Sequence, residues 1–120
     1  MGNVDLDNKI RLTRGDTFLT TLFLNQGTDF EPMRYVLEQD DKVYLGIMEP
    51  NQPFEYALIK KVYTKDNLTE DGDVLIRLEP EDTECLMPGK YFYQIKLAFT
   101  QKGKLQINTV VDKTQFEIQE

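Results

Sequence analysis

Four acids run up to a single cysteine in the stretch LEPEDTECLMPGKYFYQIKLAF, Leu78 to Phe99: Glu79, Glu81, Asp82 and Glu84 precede Cys85. Paired carboxylates can divide acid and base work when one is desolvated enough to keep its proton, and a cysteine can act as a nucleophile when a neighbouring base takes its proton. The partners for either chemistry are missing, because the chain has no histidine, no second cysteine and no tryptophan. The acids fall on a short polar turn where nothing desolvates them, and Glu84 beside Cys85 opposes a thiolate. Cys85 reads as a small apolar residue, unpaired, buried or partly buried. The chain reads as non-enzymatic, with no catalytic, cofactor-binding or metal-binding residues.

Three short motifs have plainer explanations than function. Arg14-Gly15-Asp16 is an integrin-binding tripeptide when displayed on an extracellular loop, but it falls where a strand must reverse, and Gly and Asp are ordinary turn residues. Asn67-Leu68-Thr69 fits a glycosylation pattern with nothing to indicate secretion. Asn67 to Gly72 resembles the start of a calcium loop, yet Leu78 stands where the bidentate glutamate belongs, and a hairpin turn around Asp71 and Gly72 accounts for the same residues. No Gly-rich phosphate cradle follows a strand.

Charge and hydropathy narrow the partners. With 21 Asp and Glu against 14 Lys and Arg, the net charge of −7 disfavours nucleic acid. No run approaches the roughly 18 apolar residues of a membrane span. The polar start MGNVDLDNK lacks a signal-peptide core, and Leu6 breaks the myristoylation pattern after Gly2. The expectation is a soluble chain made in the cytoplasm, with no membrane partner. One cysteine suits a reducing compartment.

The elements that must position these residues are strands. Tyr91, Tyr93, Ile95, Leu97 and Phe99 alternate with Lys90, Phe92, Gln94, Lys96 and Ala98, the period of a long half-buried strand. Val74, Ile76 and Leu78 form a second such set, and Val43, Leu45 and Ile47 a third. KIRLT is a short first strand, while TFLTTLFLN and YALIKKVYT are β-rich with ambiguous phase. Near the end, Leu105, Ile107, Thr109 and Val111 sit on odd numbers but Phe116 and Ile118 on even ones, so a bulge or turn at Val111 to Thr114 is expected to reset the register. Turn signals separate the runs at NQGTD, EPNQP, TEDGD, MPGK and QKGK. Pro80 presets a first helical turn, Glu81 and Asp82 favour its N-terminal end, and Gly89 is expected to leave it with a positive φ and a left-handed kink.

These readings predict one domain over 1–120: an all-β, antiparallel immunoglobulin-like β-sandwich of seven to eight strands, with one short helical turn before the long Tyr-bearing strand. A partly open barrel is the rival architecture. The PEDT turn ahead of a tyrosine-bearing strand resembles that of immunoglobulin variable domains, although the cysteine pair of those domains is absent. Over most of the chain, RLTRGDTF, DDKVYLGI, DGDVLIRLEPEDTECLMPGKYFYQIKL and NTVVDKTQFEIQ resemble small phage structural domains, notably the N-terminal domain of the baseplate upper protein family. The resemblance rests on Gly15 and Asp16 in the first turn and Asp41 before a strand. It continues with Asp82, Thr83 and Leu86 in the helical turn, and Gly89, Tyr91 and Tyr93 at the long strand.

The resemblance implies a phage or prophage virion structural protein of the baseplate or tail, made in the bacterial cytoplasm, whose partners are other virion components or further copies of itself. The alternative is a carbohydrate-binding β-sandwich module, with Phe92, Tyr44 and Tyr35 as the aromatics that would meet a sugar. A carboxylate-based glycosidase is a third reading, for which the sequence offers no paired geometry. The mixed charges Lys60, Lys61, Lys65 and Asp66 are expected to guard one sheet edge while another stays open.

Overall fold

The computed structural model describes residues 3–4, 9–24 and 35–120. The NQGTD turn, and the N-terminal residues read for targeting apart from Asn3, Val4 and Lys9, lie outside the described residues. Among those described, the strands are β1 (Asn3–Val4), β2 (Ile10–Thr13), β3 (Phe18–Leu22), β4 (Lys42–Met48), β5 (Ile59–Tyr63), β6 (Val74–Leu78), β7 (Gly89–Gln101) and β8 (Lys104–Gln119), with one α-helical turn, α1 (Pro80–Glu84). Six strands form one sheet in the order β1-β2-β8-β7-β4-β5, and β3 pairs with β6 in a second, smaller sheet. The protein is all-β in character.

One pairing departs from the expected antiparallel pattern: β2 runs parallel to β8, with Ile10 opposite Phe116 and Leu12 opposite Ile118. Parallel neighbours need a long crossover. Here almost the whole chain supplies it, so no local signal announces the pair. The larger sheet is therefore mixed.

Both sheets contribute to one core. Phe18, Val74, Ile76 and Leu78 from the small sheet join Ile10, Leu12, Leu45, Ile47, Tyr93, Ile95, Phe116 and Ile118 from the large one. The strand period is visible in the burial. In β7, Tyr91, Tyr93, Ile95 and Leu97 are buried while the residues between them are only partly so. The ambiguous strands resolve likewise, with Phe18 buried and Leu19 exposed in β3, and Tyr63 buried and Val62 exposed in β5.

β4 is buried on both faces at its end. Val43, Leu45 and Ile47 point into the core, while Gly46 and Met48 are covered from outside. The cover is a 3₁₀ turn, Phe54–Tyr56, which follows Pro53. A Cβ on Gly46 would lie 2.6 Å from the Phe54 ring, so only glycine admits that ring here. Lys96 Nζ lies 4.9 Å from the centre of the same ring. A second 3₁₀ turn, Lys65–Asn67, is capped by Thr64. One helical turn was expected; these two short ones escape a reading based on apolar period because neither buries a residue.

The register reset in β8 occurs twice. Tyr93 pairs with Thr114, Ile95 with Val111 and Lys96 with Thr109, so one extra residue enters at Asp112–Lys113 and another at Val110. The first shift falls within the expected segment. The second cancels its effect on facing, so Leu105 and Ile107, read as core-facing, are 66% and 60% exposed.

Candidate functional site

Several of the residues singled out in the sequence, Gly15, Asp82, Thr83 and Leu86, meet around α1. Asp82 sits at its third position, where Oδ2 accepts the Glu79 N–H at 2.7 Å and pairs with Lys61 Nζ at 2.8 Å. Thr83 is fully buried. Its Oγ1 accepts the N–H of Gly15, 68 residues away in the chain, at 3.1 Å. Gly15 holds φ +84°, a conformation that favours glycine, so the turn after β2 is built to reach α1. Leu86 closes the helical turn through its N–H to the Thr83 carbonyl and packs on the core. Lys61 and the buried Tyr63, whose hydroxyl donates to the Arg77 carbonyl at 2.7 Å, complete the joint from β5. In the sequence Lys61 stands out only as an edge charge, since its partner Asp82 lies on a distant turn.

The tyrosine-bearing strand is anchored beside this joint. Tyr91 donates its hydroxyl to the Met87 carbonyl, four residues upstream, at 2.7 Å. Tyr93 is buried and meets Phe116 edge to face, ring centres 6.3 Å apart. Gly89 has φ +157°, positive as expected, but it opens β7 opposite Ile118 in nearly extended backbone. The left-handed kink is not there, because the chain enters β7 directly. Cys85 caps α1 and is exposed, a correction to its expected burial that follows from its position on the outer side of a one-turn helix.

Asp41 lies elsewhere. It is 5% exposed, and its Oδ2 accepts both the Glu38 N–H at 2.9 Å and the hydroxyl of Tyr35. Burial, the bond to Asp41 and the charges of Asp41 and Glu38 hold the Tyr35 phenol protonated far above its usual range. Burial, with the charges of Asp82 and Glu79, pushes Tyr63 up to about 12. These groups are fixed in structural bonds.

The tempting motifs are likewise tied into the fold. Asp16 N–H bonds to the Thr13 carbonyl and Arg14 N–H to that of Gln119, so Arg14-Gly15-Asp16 is a reversal fixed to the sheet. Asn67 Oδ1 accepts the Thr64 N–H at 2.9 Å. The Thr69 N–H bonds to the Asp73 carbonyl and the Gly72 N–H to that of Thr69, which makes the calcium-like segment a tight turn. Among the described residues no group of three or more His, Cys, Asp and Glu could hold a metal ion. No described helix is long and apolar enough to cross a membrane.

The three aromatics proposed for sugar contact do not share a surface. Tyr44 and Phe92 face outward on the large sheet, opposite Lys96 and Met48. Tyr35 instead packs on Phe99, ring centres 6.2 Å apart. There it lines a groove of about 620 Å³ with Phe23, Leu24, Leu97, Gln101 and Asn108. Compared with protein-family profiles, curated proteins and solved structures, the chain matches none.

Proposed function

We propose that this chain is a non-enzymatic building block of a phage particle, in its baseplate or tail, working by protein–protein contact on an immunoglobulin-like sandwich. The observation that carries the reading is that two residues of the phage-domain resemblance, 68 apart in sequence, meet directly, Gly15 donating to Thr83, while Asp82 beside them binds Glu79 and Lys61 and Tyr91 is anchored on Met87. The Tyr91 bond has the form of a tyrosine corner, and Tyr93 stands two residues on, where an immunoglobulin domain carries its second cysteine. The order β8-β7-β4-β5, with β3 and β6 on the facing sheet, supports a variable-type layout. The chain differs in filling the cysteine position with an aromatic.

Mass spectrometry of purified particles from the source strain, with affinity capture of neighbouring subunits, tests the assignment. The expected result is the chain in the particle beside a tail or baseplate component. Its absence from every particle, with no such partner recovered, would overturn the reading. One observation favours carbohydrate binding as a second reading: the groove sets Tyr35 and Phe99 beside the amides of Gln101 and Asn108. A defined glycan bound on an array, and lost in Phe99→Ala, would favour it instead.

A further inference from the structure

β7 and β8 run on past their neighbours. β4 reaches β7 only from Phe92 to Ala98, and β2 reaches β8 only from Phe116 to Gln119. Among the described residues, the outer edge of β8 from Lys104 to Gln115 therefore has no strand against it. The two bulges interrupt this edge at Val110 and at Asp112–Lys113, which leaves Lys104 to Thr109 as a straight row, every residue of it exposed. Leu105 and Ile107 project to one face, Gln106 and Asn108 to the other. An open row of backbone N–H and C=O groups flanked by aliphatic side chains is a template for an added strand.

We propose that this edge pairs antiparallel with the same edge of a second copy. The sequence of the row is self-complementary. A register centred on Gln106 sets Leu105 of each copy opposite Ile107 of the other, gathering four aliphatic side chains on one face, and faces amide with amide at Gln106 on the other. A slip of one residue would set Leu105 against an amide, which the alternation opposes, and a slip of two would set Leu105 against Thr109 and lose an aliphatic pair.

Charge points the same way. From Cys85 to Val111 the chain carries four lysines and no acid, which leaves −11 on the rest of a molecule of net charge −7. Antiparallel pairing carries each basic tip, with Lys102 and Lys104, toward the acidic body of the other copy, and sets the two Lys104 residues at opposite ends of the paired row. The row is short, so the dimer is weak in isolation and suited to reinforcement by neighbours in a particle. The inference rests on the assembly reading above for its purpose.

Sedimentation equilibrium of the purified chain, with hydrogen exchange measured at low and high concentration, tests it. The expected result is a concentration-dependent dimer whose Lys104 to Thr109 amides become protected as it forms. Leu105→Lys and Ile107→Lys should each raise the dimer Kd by about tenfold or more at unchanged Tm. A chain that stays monomeric up to roughly millimolar concentration, or a dimer that both variants leave intact, overturns the interface. Particles containing the chain, combined with an unaffected dimer in Ile107→Lys, overturn this edge and not the assembly reading. A dimer lost in Ile107→Lys, combined with absence from particles, does the reverse.

Discussion

A single hydroxyl, that of Tyr91, ties the entry of β7 to the chain just before it through the Met87 carbonyl. Tyr91→Phe keeps the buried ring and removes this bond, so thermal unfolding should show a loss of about 1 kcal/mol. Thr83→Val should cost more, about 1–3 kcal/mol, because it strips the Gly15 N–H of its acceptor at a buried joint. Tyr63 gives a pH dependence with a definite sign. Its phenol titrates near 10 when unfolded and at about 12 in the fold, so the native state keeps a proton that the unfolded chain loses between those values. Its contribution is complete below pH about 10 and declines as pH rises toward about 12. Urea midpoints measured across that window should fall, and fall less steeply in Tyr63→Phe. Residue types at this scale were legible: Pro80, Glu81 and Asp82 announce a helical turn, and Tyr91 its anchor. The partners were not, since nothing local in the sequence connects Asp82 to Lys61 or Thr83 to Gly15.

At the scale of elements, β8 is two strands in function. Its second half supplies Phe116 and Ile118 to the core, while its first half leaves Leu105 and Ile107 in solvent. Phe116→Ala should therefore cost about 3–5 kcal/mol and Leu105→Ala less than about 0.5 kcal/mol, although both are large apolar residues in one strand. Chemical denaturation of the two variants checks the contrast. Parity exposed the need for a bulge, because odd and even apolar sets cannot share a face, but it cannot count bulges, and a second one restores the original facing. The 3₁₀ cover over β4 was hidden for another reason: its apolar contact is with a glycine, which carries no hydrophobic signal. Gly46→Val should displace Phe54 and destabilise by about 1–3 kcal/mol.

Across the whole molecule, strand content and the alternation of β4, β6 and β7 were readable because one face of each meets the shared core. The parallel contact of β2 with β8 was not, since it joins segments from opposite ends of the sequence and leaves no periodic trace in either. With both sheets contributing to one core, the described fold should melt in a single transition, seen together by near- and far-ultraviolet circular dichroism. That parallel contact also sets the order of events in time. Ile10 cannot meet Phe116 until 105 intervening residues have been made and gathered, so the loop it closes is nearly as long as a loop in this chain can be. Its closure entropy is met before the contact returns anything, which places refolding among slow, topologically complex domains, on the order of milliseconds to seconds. Until that moment Leu12 and Phe116 have no partner in each other's strand, and the chain is held together by pairings that close shorter loops, such as β4 with β5, β3 with β6 and β7 with β8.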